Sequence, residues 1–217
     1  KRYGAKEALA DVSFEVPRRE ILFITGPSGA GKTTLLKLLY LAEPVSDGQI
    51  LVDGMNLSRL SRRRIPHLRG KLGIIFQDYK LIPTKTVFRN VALVVEAAGG
   101  RGRWIRKKVD SLLRTVGMED KGRALPPSLS GGEQQRVAVA RAIAGDPEII
   151  LADEPTGSLD AESAGIIFDL LKTLNARGAT VLVATHDTAL IRKTGGRVII
   201  LNEGRVETAT VIPRLPA

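Results

Sequence analysis

The chain has no cysteine, so neither a disulfide framework nor a thiolate metal site is open to it, and a reducing compartment fits that composition. It has two histidines, and neither sits in a cluster of metal-ligating residues. No apolar run approaches the roughly 18 residues of a membrane span, so the sequence does not cross a bilayer by itself, and no charged-then-apolar segment stands at its start. Low-complexity tracts are missing and no unit of roughly 20 to 50 residues repeats, which sets aside disorder, collagen, coiled coil and solenoid. The first residue is Lys1 rather than Met, and the expectation is that one or both ends of the natural chain lie outside this sequence.

What is present is globular in balance. Of 217 residues, 43% are hydrophobic and 26% charged, enough for a sizeable core in one domain with an inserted lobe. Lys and Arg number 33 against 23 Asp and Glu, a formal charge of +10. Such an excess suits a phosphate-rich ligand, an anionic membrane surface or a nucleic acid, and charge alone does not choose among them.

Apolar runs of strand length stand at Ile21–Thr25, Gln49–Asp53 and Lys71–Phe76, and Ala8–Val16 alternates loosely as a further strand. Ile149–Ala152 and Val181–Ala184 are continuous runs, the pattern of strands buried on both faces of a parallel sheet. Arg197–Leu201 and Arg205–Thr208 flank Asn202-Glu203-Gly204 as a closing hairpin. Helical patterns occupy Lys32–Leu41, Ile105–Val116, Gly132–Ala144 and Ala161–Asn175. This alternation predicts an α/β layer fold with a helix-rich insertion over roughly Asp78–Gly145.

Gly26-Pro27-Ser28-Gly29-Ala30-Gly31-Lys32-Thr33 matches G-x-x-x-x-G-K-[ST] between a strand and a helix that continues through Thr34. Glycines let successive N–H groups point at phosphate oxygens, and the helix start adds about half a positive charge. Lys32 brings a point charge to the β/γ phosphates and the Thr33 hydroxyl is placed for Mg²⁺. The run Ile149–Ala152 delivers Asp153 and Glu154 at a strand's carboxyl end, where parallel sheets place their ligands. Asp153 is expected to hold Mg²⁺ through water, and Glu154 to orient and deprotonate the attacking water. His186 ends another apolar strand, within reach of the γ-phosphate at that same edge.

Ser130-Gly131-Gly132-Glu133 has the S-x-x-E spacing of a capping box, and its two glycines expose N–H groups as in an anion site. The chain thus holds two phosphate-competent helix starts for one nucleotide. With Gln77 after a strand, Leu129–Gln135, Ile149–Glu154, Ser158-Leu159-Asp160 and His186 in this order and spacing, the sequence resembles the ABC-type ATPase cassettes over essentially its whole length. No motif position departs from their pattern.

The resemblance implies a P-loop NTPase fold: a RecA-like ATP-binding core with an antiparallel β lobe (1–77 and 146–217) and an inserted α-helical lobe (78–145) carrying the signature motif. It implies a homodimer in the ATP state, each ATP lying between the phosphate loop of one copy and the Ser130-Gly131-Gly132 start of the other. It makes Gln77 the γ-phosphate sensor, a metal-site residue and the lobe hinge, Asp160 a cross-dimer contact, His186 the switch residue, and Tyr3 the aromatic that stacks on adenine.

Phe76–Pro83, with Thr86-Val87 and Asn90-Val91-Ala92, resembles the cell-division branch of the family, whose ATPase works with an integral membrane protein of FtsX type. Leu81, Ile82, Pro83 and Val87, near Tyr79, are expected as the partner's docking surface, which places the chain peripherally at the cytoplasmic face of the cell membrane. A motor for lipoprotein release, macrolide-type export or solute transport, and a slow nucleotide-dependent recruitment switch, remain open as alternatives. The basic runs Arg59–Arg64 and Arg101–Lys108 read as a solvated face or as attraction to an anionic leaflet. Nucleic-acid binding is not expected, because the chain has no room for the coiled-coil or zinc insertions of the family's DNA-repair relatives.

Overall fold

A computed structural model describes residues 1–212. In chain order its elements are β1 (Arg2–Tyr3), β2 (Lys6–Glu7), β3 (Ile21–Thr25), α1 (Lys32–Leu39), β4 (Leu51–Val52), β5 (Met55–Asn56), α2 (Ile65–Gly70), β6 (Leu72–Ile75), α3 (Val87–Ala97), α4 (Arg103–Thr115) and α5 (Gly131–Ala142). Then follow β7 (Ile149–Asp153), α6 (Ala161–Ala176), β8 (Thr180–Ala184), α7 (Thr188–Thr194), β9 (Gly196–Asn202) and β10 (Arg205–Ile212).

One six-stranded sheet runs β10-β9-β3-β8-β7-β6. Its four pairings from β9 to β6 are parallel, and β10 closes the edge antiparallel through the hairpin. Register sets Ile24 beside Ala184, Asp153 beside Ala184, and Ile75 beside Ala152, so the carboxyl ends of four strands share one edge. All of β8 and the centre of β3 are buried, as continuous apolar runs require when both faces are covered. On one face Phe23 stacks on Phe168 of α6 with centroids 6.0 Å apart, in a core shared with α3, α4 and α5. On the other, Leu22 and Ile24 pack with Leu35, Leu36 and Leu38 of α1 and with Leu68 of α2.

Among the described residues the antiparallel part is limited to two short ribbons, β1–β2 and β4–β5, besides the β9–β10 hairpin. Ala8–Val16 is not a strand. Asp11 sits at φ 51° and Arg19 at φ 64°, which breaks the pleat, and the segment runs as irregular chain along a cavity of about 1750 Å³. Gln49–Asp53 shortens to β4 because Asp53 and Gly54, with φ of 47° and 74°, turn the chain back into β5.

Between β6 and β7 lies α3, a helix the sequence reading did not assign. Val87, Val91 and Val95 recur every four residues and are wholly buried, and the Thr86 side chain caps the helix by accepting from the Arg89 N–H. Buried Asn90 pins the preceding loop: its Oδ1 accepts from the Ile82 N–H at 2.8 Å and its Nδ2 donates to the Lys85 carbonyl at 2.9 Å.

Candidate functional site

β3 ends at Thr25, and residues 26–31 turn the chain back into α1. Gly26 has φ 145°, and a Cβ there would lie 2.0 Å from the Leu201 carbonyl oxygen, so both conformation and space demand glycine. No side chain caps α1 at Gly31, which leaves the N–H groups of its first turn for an anion. Lys32 is only 8% exposed. Its Nζ donates to the carbonyls of Gly26 at 2.7 Å and Pro27 at 3.1 Å, folded back over its own loop. Pro27, Ser28 and Gly29 form the exposed tip, with Ala30 buried and Thr34 half-buried behind it.

Two strands away, β7 presents its acids to that loop. The Thr33 hydroxyl donates to Asp153 Oδ1 at 3.1 Å. Burial pushes the Asp153 carboxyl above the ordinary carboxylate range, against the pull of the Thr33 hydrogen bond. A hydroxyl and a carboxylate oxygen are the hard donors Mg²⁺ accepts, and such sites take their remaining oxygens from substrate phosphates and water. That donor chemistry fits, and among the described residues no cluster of three or more His, Cys, Asp or Glu offers an all-protein cage.

Glu154 leaves strand geometry at φ 44°, a conformation costing a non-glycine residue about 1–2 kcal/mol. Its N–H donates to the Ala184 carbonyl at 2.8 Å. The turn sets its carboxylate between two bases: Oε1 is 3.9 Å from Lys32 Nζ and Oε2 is 2.9 Å from His186 Nδ1. Gln77 follows β6, exposed, at the same edge.

The other helix start is built on different supports. Ser130 and Glu133 form the capping box, the serine accepting from the Glu133 N–H and the glutamate from the Ser130 N–H. That bond holds the Glu133 carboxyl below its ordinary range. Gly132 is buried against α6, where an added Cβ would come 2.5 Å from Ser163 Oγ. Asp160 caps α6, its two oxygens accepting from the Ser163 N–H at 2.8 Å and hydroxyl at 2.9 Å. Tyr3 lies exposed on β1 with the Lys1 ammonium 4.6 Å from its ring centroid.

The expected docking cluster is only partly at the surface. Val87 is 0% exposed, because it starts the inward stripe of α3, and Leu81 packs against the helical core. Ile82 and Pro83 are exposed. Tyr79 is half-buried and bonded inside the chain, its hydroxyl 3.1 Å from that of Ser158.

Two residues of α5 have partners that the sequence does not announce, Gln135 at the end of the Leu129–Gln135 motif and Arg141 outside it. Buried Gln135 donates through Nε2 to the carbonyl of Pro155, next to Glu154, at 2.8 Å. Arg141, whose burial lowers its affinity for the proton, donates to the carbonyls of Tyr79 and Lys80. A signal did exist: Val137–Ala140 are all buried, so polar residues on this helix need partners within the fold.

The sequence profile described as ABC transporter matches residues 9–157. The chain is 44% identical over 207 residues to the cell division ATP-binding protein FtsE of Streptococcus pneumoniae serotype 2, covering 95% of this chain and 90% of that protein. Against FtsE of Escherichia coli K12 the identity is 45% over 203 residues, covering 94% and 91%. Among solved structures it matches the ATP-binding cassette MJ0796, a dimer in a post-hydrolysis state bound to ADP and Pi. The TM-score is 0.90 at 36% identity, over 99% of this chain and 96% of that one.

Proposed function

Because the chain belongs to the ABC transporter family and is one of its ATP-hydrolysing cassettes, we propose that two copies close head to tail on two ATP molecules. In this reading the closure is passed to a separate membrane protein of FtsX type in cell division. One observation carries the composite site: the two glycine-bearing helix starts stand on different supports, α1 on β7 and β8, α5 on α3, α6 and β6. An ATP held by the first meets the second from another copy, and so the core (1–77 and 146–217) and the helical lobe (78–145) each supply half of a site.

Residues Gly26–Thr34 hold the β/γ phosphates, Tyr3 stacks on adenine, and Ser130, Gly131, Gly132 and Asp160 reach across to the other copy. Thr33, Asp153 and Gln77 would hold Mg²⁺, which neutralises charge on the phosphate oxygens. Glu154 takes a proton from the water as its oxygen bonds to the γ-phosphorus, and the β–γ bridging oxygen departs with ADP. His186, 2.9 Å from Glu154 Oε2, orients that carboxylate, and Lys32 Nζ turns from the carbonyls of its own loop to the phosphate oxygens.

The role in cell division rests on the likeness to FtsE over 94–95% of the chain. No helix of the described residues is long and apolar enough to cross a membrane; in this reading the partner, docked at Ile82 and Pro83, holds the chain at the cytoplasmic face. Ser130→Arg tests the composite site. It should abolish turnover while leaving ATP affinity of the monomer within about twofold, whereas lost affinity in the monomer would place Ser130 on its own nucleotide.

A further inference from the structure

Tyr79, two residues after Gln77, touches three parts of the chain at once. Its hydroxyl lies 3.1 Å from Ser158 Oγ in the turn that precedes Asp160. A Cβ on Gly131 would come 2.9 Å from the same phenolic oxygen, so the side chain lies directly against the start of α5. Its backbone is equally constrained. Tyr79 and Lys80 are consecutive left-handed residues, with φ of 59° and 51°, a conformation that side chains disfavour. Arg141, from the same helix α5, holds them there. Nη2 donates to the Tyr79 carbonyl at 2.7 Å and Nη1 to the Lys80 carbonyl, a use of the planar fork that a lysine does not reproduce.

Resting on the composite-site reading above, we propose that Tyr79 is a positioning residue. Backed by Arg141, it makes the segment after Gln77, the Ser130–Gly132 helix start and the 158–160 turn move as one body. A shift of Gln77 is thereby delivered to the two surfaces that meet the other copy, without a contact between Tyr79 and nucleotide. The hydroxyl bond to Ser158 ties in the turn, and the same phenolic oxygen, against Gly131, ties in the helix start. Without the hydroxyl the turn and the helix start both lose their contact with this residue, Asp160 is no longer held in step with Ser130–Gly132, and the closed dimer loses affinity.

The test uses the full chain in a Glu154→Gln background, where hydrolysis does not drain the dimer. Tyr79→Phe keeps the ring and deletes only the hydroxyl, and Ser158→Ala deletes the other half of the bond. Each should weaken Mg-ATP-dependent dimerisation about 3- to 10-fold by sedimentation, with ATP affinity of the monomer and the thermal transition unchanged. The double variant should be no weaker than the worse single variant, because both remove one interaction. Dimerisation of Tyr79→Phe equal to its parent, or single losses that multiply in the double variant, would overturn the brace alone. A parent that binds ATP yet stays monomeric would overturn the composite site, and the brace with it.

Discussion

The carboxylate of Glu154 and the imidazole of His186 stand 2.9 Å apart because β7 and β8 are paired in register, Asp153 beside Ala184. Each residue follows its strand by one or two positions, and the left-handed turn at Glu154 aims the carboxylate across the gap. Removing the imidazole should therefore misplace the base without disturbing the phosphate loop. His186→Ala is expected to lower kcat by about 10- to 100-fold with ATP affinity unchanged. Steady-state kinetics and equilibrium binding check this together, and a rise in Kd with kcat intact would contradict it.

Asp153 is a carboxylate kept partly out of water for the sake of the site. Its isosteric amide carries no charge to bury, so Asp153→Asn should stabilise the fold by about 1 kcal/mol, or roughly 2–4 °C in Tm for a chain of this size. The same variant should lose Mg²⁺-dependent turnover. A lower Tm would mean that the bond from Thr33 outweighs the burial.

Glu133 sits below its ordinary pKa because the Ser130 N–H donates to it. A depressed acid contributes stability at neutral pH, and that contribution is lost as pH falls from the ordinary glutamate range through the folded value. Glu133→Gln should thus cost about 0.5 kcal/mol at pH 7 and nothing in strongly acidic buffer. Thermal melts of both proteins across that range decide the point, and a gap that widened on acidification would have the wrong sign.

Burial separates the members of the apolar cluster after Gln77. Val87→Asp puts an unpaired charge at a site with 0% exposure and should unfold the chain or cost about 3 kcal/mol or more. Ile82→Asp, at a position 40% exposed, should shift Tm by less than about 2 °C and abolish co-purification with the membrane partner. A large loss of Tm in Ile82→Asp would take this segment out of the docking surface.

Much of the site was legible because it is local. Gly26 to Thr33 occupies one turn, Asp153 and Glu154 are adjacent, and each follows an apolar run whose burial on both faces could be read directly. What escaped depends on backbone sign or on distant partners. The loose alternation of Ala8–Val16 gives no hint that Asp11 takes φ 51°. Val87, Val91 and Val95 follow so closely on Leu81 and Ile82 that inward and outward apolar residues look alike until Thr86 is seen to cap α3. The bond from Arg141 to the Tyr79 carbonyl spans 62 positions, and nothing near either residue announces the other.

The central claim is that each ATP is enclosed by two copies of the chain. Glu154→Gln should bind ATP and not turn it over, since the lost carboxylate acts mainly in the transition state. Size-exclusion chromatography with light scattering, run on this variant in Mg-ATP at high protein concentration, is the most direct measurement. A dimer retaining two ATP molecules, returning to monomer without nucleotide, is the predicted result. A monomer with ATP demonstrably bound would contradict the account.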